Sequence, residues 1–297
     1  MASAGRTHER TAPAPSPTVP SAGARRPAAV SLRGARMAFG DRVLWEGLDL
    51  DVTPGEFVAV LGPNGSGKTT LLKVLLGLTP LSSGSLLVAG QPARRGSPQI
   101  GYVPQQTSAD PELMLRGRDL VGLGWDGHRL GVAAGRRAVR RARVDAVLEA
   151  VGASAYADRP VGRLSGGERQ RLRVAQALVG DPSVLLCDEP RLSLDLARQG
   201  SISRLIDERR RADGFAVLFV THDINPVLPL VDRVLYLVDG AFRIGTPDQV
   251  MTSAVLSELY RTDVDVLRVR DRLVVVGADD AVGPGDHAHH EHDPTAR

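Results

Sequence analysis

The nine residues GPNGSGKTT, Gly62 to Thr70, constrain this chain more than any other feature. They follow the short apolar run EFVAVL and lead into KTTLLKVLLGL, whose apolar residues recur at helical spacing. A turn of this kind between a strand and a helix is a phosphate cradle. Glycines let the backbone pass close to an anion at positive φ. Successive N–H groups and the start of the helix then face the anion. Gly62, Pro63, Asn64, Gly65, Ser66, Gly67, Lys68, Thr69 and Thr70 are therefore the first candidate ligand contacts. Lys68 supplies a point charge for β- and γ-phosphates, and the Thr69 hydroxyl is a candidate Mg²⁺ ligand. Cation usage points the same way. Of 37 Lys and Arg residues only Lys68 and Lys73 are lysine, so a compact ammonium stands at the cradle against a strong bias to Arg.

The rest of the pattern predicts an α/β chain. VSLRGARMAF and RVLWEGLDLDV alternate apolar and polar residues around GD and read as a strand pair; GSLLVAG and QIGYVPQ read as further strands. Residues 112–163 lose the β-branched runs and carry the Arg-rich stretch RRAVRRARVDAVLEAVG, a helical insertion. SVLLCDEP, FAVLFVTHD and RVLYLVDG are buried strands separated by helix-length segments, the alternation of a parallel sheet with crossover helices. The sequence predicts a disordered arm over 1–29, a main domain over 30–251, a helix and β-hairpin extension over 252–277 and a disordered His-rich tail over 278–297.

Two further elements carry chemistry. The strand SVLLCDEP ends in Asp188, placed to ligate Mg²⁺ at the cradle, and Glu189 follows where it can polarise a water aimed at a γ-phosphate. Cys187 reads as a small core residue. LSGGERQR, residues 164–171, is a second small-residue turn at a helix start, so Ser165, Gly166 and Gly167 form a second anion cap.

With that turn the chain resembles the ABC-type ATPases, from about Val30 to Met251. LSGGERQR is similar to their signature sequence, YVPQ supplies Gln105 in the place of the Q-loop, LSLD supplies Asp195 in the place of the D-loop, and VTHD supplies His222 in the place of the switch histidine. Phe39 falls where that family keeps an aromatic that stacks on adenine. The resemblance implies a P-loop NTPase core with a mixed sheet, an antiparallel β-subdomain and a helical insertion. It implies ATP and Mg²⁺ as cofactors, with Thr69, Gln105 and Asp188 around the metal and Glu189, His222 and Gln105 as catalytic residues. It also implies a head-to-tail homodimer in which each signature closes over the other copy's nucleotide. Arg191 departs from the family pattern, where a small or aromatic residue commonly follows DEP.

Composition narrows the job. A formal charge of +3 argues against a nucleic-acid partner, and a lone cysteine fits a reducing compartment. No apolar run approaches the roughly 20 residues that span a bilayer, so any membrane spans belong to another chain. IGYVPQQ and RDLVGLG resemble the zinc/manganese importer ATPases, and also siderophore importers. The expectation is an ATPase on the cytoplasmic face of a bacterial membrane, working with an integral permease and an extracytoplasmic substrate-binding protein to import zinc or manganese. The alternatives are an importer of iron complexes and an iron–sulfur assembly ATPase. His287, His289, His290 and His292 form a candidate metal-binding tail.

Overall fold

The structure, a computed structural model, describes residues 27–105, 114–127, 137–190 and 201–277. Asp195, Arg191, the N-terminal arm up to residue 26 and the His-rich tail lie outside the described residues, as do parts of the 112–163 insertion.

The first layer is antiparallel. Strand β1 (Val30–Phe39) pairs with β2 (Arg42–Val52). After β3 (Phe57–Leu61) and helix α1 (Lys68–Leu75), strands β4 (Ser83–Val88) and β5 (Gln91–Pro92) extend the same layer in the order β2-β1-β4-β5.

The central layer has six strands. β6 (Ile100–Val103) precedes the helical segment, made of α2 (Gly117–Asp126), α3 (Arg137–Ala150) and α4 (Gly166–Leu178). The chain returns through β7 (Val184–Asp188), α5 (Ser201–Asp213), β8 (Ala216–Val220), β9 (Arg233–Val238) and β10 (Ala241–Gly245). The order is β10-β9-β3-β8-β7-β6, with β6, β7, β8, β3 and β9 parallel and β10 antiparallel at the edge. α6 (Pro247–Val250), α7 (Ser253–Tyr260) and the pair β11 (Asp265–Val269) and β12 (Arg272–Val276) follow. The expected α/β fold is met.

Side-chain alternation assigns each strand residue to one of two cores. Phe57, Ala59, Leu185, Cys187, Val217 and Phe219 face the helices. Val58, Val60, Val184, Leu186, Leu218 and Val220 face α1 and the antiparallel layer. All five residues of β3, of β7 and of β8 are buried, which is why these segments read as continuous apolar runs rather than alternating ones.

A charge cluster built on the buried pair Arg210 and Asp207 joins α5 to the start of β3. Arg210 donates to Asp207 Oδ1 (2.6 Å), Asp232 Oδ2 (2.6 Å) and the Gly55 carbonyl (2.6 Å), and its guanidinium lies 5.7 Å from the Phe57 ring centre. The same Asp232 oxygen accepts from the Phe57 N–H at 2.8 Å. Removing one partner from such a buried pair costs about 3–5 kcal/mol, because the other charge is left unpaired.

Candidate functional site

Strand β3 is locked between β8 and β9, so the turn that leaves it has a fixed origin. Gly62 is at φ 139°, and a Cβ there would sit 2.0 Å from the Leu237 carbonyl oxygen, so only glycine fits. Gly67, at φ 98°, caps α1, and a Cβ there would press on the buried Trp45 ring at 3.1 Å. Between them the loop closes on itself: the Lys68 ammonium donates to the carbonyls of Gly62 (2.7 Å) and Pro63 (2.9 Å). Arg42 donates to the Gly65 carbonyl at 3.1 Å and ties the β1–β2 turn to the loop.

The cradle holds polar groups that ask for a ligand. Ser66 is 4% exposed, and its hydroxyl has no hydrogen-bond partner among the described residues. Lys68 is also buried, which pushes its pKa down, while the carboxylates of Glu189 and Asp188 pull it back up. An anion such as triphosphate would satisfy both groups.

The two carboxylates stand at the end of β7. Asp188 is buried and accepts from the Tyr102 hydroxyl at 3.2 Å. Burial raises its pKa, the Tyr102 bond opposes that, and the neighbouring charge of Glu189 adds to it. Burial and the Asp188 charge push the Tyr102 phenol up to about 12. A carboxylate disfavoured in this way fits a cation beside it, with the exposed Thr69 at the start of α1 as the matching hydroxyl. Glu189 breaks from the strand at φ 39°, an unusual conformation for a residue with a side chain, and its N–H donates to the Val220 carbonyl at 3.0 Å. There Glu189 Oε2 lies 3.4 Å from Gln105 Nε2 and 3.7 Å from His222 Nδ1. Two residues that follow two other strands, β6 and β8, thus converge on the carboxylate that follows β7.

The remaining candidates lie apart. Phe39 ends β1 and is 56% exposed, a free aromatic face beside the loop-anchoring turn. Ser165 caps α4 in a capping box: its hydroxyl accepts from the Glu168 N–H (3.3 Å), and Glu168 Oε2 accepts from the Ser165 N–H (2.7 Å). That bond holds the Glu168 carboxyl below the usual carboxylate range. Ser165, Gly166 and Gly167 are exposed. A cavity of about 550 Å³ opens between β6, α2 and α4, lined by Tyr102, Pro104, Leu123, Trp125, Arg173 and Gln176.

Sequence reading did not single out Arg42, Trp45, Tyr102 or Asn225. Tyr102 had a signal in YVPQ, since a strand residue beside the Q-loop has to face something. Its partner Asp188 is 86 residues away and becomes its neighbour only through β6–β7 pairing.

A phosphate cradle at the carboxyl edge of a parallel sheet, facing paired carboxylates, marks a nucleoside-triphosphate-binding protein of the α/β class. Comparison with known proteins carries this further. The ABC transporter family profile matches residues 45–191. A zinc import ATP-binding protein of Halorhodospira halophila is 34% identical over 264 residues, covering 89% of each chain. An aliphatic sulfonates import ATP-binding protein of Pseudomonas fluorescens is 41% identical over 213 residues, 72% of this chain and 74% of that one. A solved ABC transporter, described as of metal-chelate type and inward-facing, superposes with a TM-score of 0.70 at 26% identity, over 84% of this chain and 96% of the other. The chain belongs to the ABC transporter family, among its ATP-binding subunits, and is an ATPase. Among the described residues no helix is long and apolar enough to cross a membrane.

Proposed function

We propose that this chain is the ATP-hydrolysing subunit of an importer for a metal cation, zinc before manganese. It works as a homodimer on the cytoplasmic side of a separate permease, fed by an extracytoplasmic binding protein. The zinc-import name of the Halorhodospira relative supports the cargo, and the import names of both relatives favour transport over iron–sulfur assembly. A second reading, import of a metal chelate, is favoured by the likeness to the metal-chelate type transporter. Uptake of radiolabelled zinc, free or chelated, by cells with and without the chain separates the two readings. Equal uptake of both forms with and without it overturns both.

The observation that carries the mechanism is the Glu189 carboxylate held between Gln105 and His222 at the edge of the cradle. Lys68, the loop N–H groups and the Ser66 hydroxyl hold the triphosphate. Mg²⁺ bound with the nucleotide would be held by Thr69, Asp188 and Gln105 and would neutralise charge on the phosphate oxygens. Glu189 takes the proton of the attacking water. His222 and Gln105 fix the orientation of that carboxylate, and His222 donates to the γ-phosphate. Phe39 stacks on the adenine. Ser165, Gly166 and Gly167 of the second copy cap the γ-phosphate from the far side. Loss of the phosphate releases the clamp.

Glu189→Gln tests this directly. The amide keeps the shape of the carboxylate but cannot accept the proton, so hydrolysis should fall about 10²–10⁴-fold. ATP should then convert the protein to a stable dimer on size-exclusion chromatography. Near-normal hydrolysis would remove Glu189 as the base, and an inactive variant that stays monomeric with ATP would remove the two-sided clamp.

A further inference from the structure

His222 sits between two hydrogen-bonded stretches of backbone. Upstream, Thr221 is buried at the end of β8 and its N–H donates to the Val60 carbonyl at 3.2 Å. The His222 side chain is 75% exposed, and its Nδ1 lies 3.7 Å from Glu189 Oε2. Downstream the chain makes a tight polar turn. Thr221 Oγ1 accepts from the Asp223 N–H (3.2 Å) and donates to the Asp223 carbonyl (2.9 Å). Asp223 Oδ1 accepts from both the backbone N–H and the side-chain amide of Asn225, each at 2.9 Å.

The Asn225 amide then reaches out of this turn to the C-terminal hairpin. Its Nδ2 donates to the Leu273 carbonyl at 3.0 Å, and its Oδ1 accepts from the Leu273 N–H at 2.8 Å. Both amide protons and the carbonyl oxygen are engaged. The Leu273 backbone also fixes which way the amide points, since its N–H needs an acceptor and its C=O a donor. The side chain behaves as one more rung on the outer edge of β12.

The hairpin that receives this rung is itself braced. Ser253 Oγ accepts from the Val266 N–H at 2.8 Å, Ser257 Oγ accepts from the Val264 N–H at 2.9 Å, and Arg268 pairs with Asp248 at 2.6 Å. Leu273 buries its side chain in the helical-side core. Ile224 also buries its side chain there, but apolar burial has no direction, whereas the two bonds of Asn225 do.

We propose that Asn225 is a positioning residue for hydrolysis: clamped to the Leu273 backbone, it fixes the turn that aims His222 at Glu189 and the γ-phosphate. This rests on the reading of His222 given above. The hairpin is then part of the catalytic scaffold, although it lies outside every nucleotide-binding motif.

The test measures kcat and the ATP KM of the full-length protein by release of labelled phosphate. Asn225→Ala removes the clamp. Asn225→Asp keeps the size of the side chain but sets an acceptor against the Leu273 carbonyl. Both should lower kcat about ten-fold, since small misplacements of a reacting group cost up to about 10²-fold, while the ATP KM stays unchanged. In a His222→Ala background neither change should slow turnover further, because the group being aimed is gone. A normal kcat in both Asn225 variants overturns the proposal. So does a loss of the same factor in the His222→Ala background, which would put the amide's effect elsewhere. If His222→Ala alone turns over at the wild-type rate, the role given to His222 falls, and this is distinguishable from a slow His222→Ala beside normal Asn225 variants.

Discussion

Asp188 is a carboxylate kept where a carboxylate is costly. Burial raises its pKa, so the folded protein disfavours the charged form. At neutral pH, well above the unfolded value, the fold carries that cost, and it is relieved as pH falls and the acid is protonated. Asp188→Asn should therefore raise the melting temperature of the nucleotide-free protein by a few degrees, roughly the effect of 1 kcal/mol in a chain of this size. The same variant should lose the stabilisation that Mg²⁺-ATP gives the wild type, read by thermal shift with and without Mg²⁺. A lower melting temperature, or an undiminished Mg²⁺ effect, would refute this account. Asp188, Glu189 and His222 were legible in the sequence because each sits where an apolar strand run ends, and Lys68 because it opens the helix after the glycine loop. The Tyr102 and Asn225 bonds were not, since their partners are 86 and 48 residues away and are set by strand neighbours that no local pattern encodes.

At the scale of the element, the residue that caps α4 has one role in the fold and a second in the clamp proposed above. The Ser165 hydroxyl accepts from the Glu168 N–H, which caps the helix and leaves its own O–H for a phosphate. The two roles can be parted. Aspartate is as good an N-cap as serine, so Ser165→Asp should leave thermal stability within about 0.5 kcal/mol of wild type. In the clamp proposed above its negative charge would face the γ-phosphate held by the other copy, so in a Glu189→Gln background ATP should no longer drive dimerisation. Persistence of that dimer by size-exclusion chromatography would refute the signature's role. SGGE reads as a helix start from sequence alone, which made the cap legible; the reciprocal bond from Ser165 N–H to Glu168 emerged only with the structure.

Across the whole molecule, the central sheet separates two cores, and the phosphate loop leaves from its middle strand. The strand segments were legible as apolar runs, but their order was not, because parallel neighbours are joined by long crossovers rather than by turns. That order puts β6 beside the helical segment and opens the groove next to Gln105, lined by Tyr102, Leu123 and Trp125. A helix of the permease seated there would touch the Gln105 segment directly, so nucleotide state and membrane subunit would sense each other. Single cysteines at Leu123 and at exposed sites on the hairpin can be crosslinked to co-expressed permease. The Leu123→Cys site should capture the permease, and preferential capture at the hairpin would refute the docking site. The native Cys187 does not interfere, being buried with its thiol pKa pushed up by burial.

The grip of Lys68 on its own loop also gives the chain an unusual reactivity. Only two side chains carry a primary amine. Lys73 is exposed on α1, whereas the Lys68 nitrogen is buried and spends two of its protons on the Gly62 and Pro63 carbonyls. An acylating reagent therefore meets one open lysine and one closed one, about one and a half turns of helix apart. The extent of modification at Lys68 relative to Lys73 becomes an internal gauge of how far the loop has loosened, with no residue substituted.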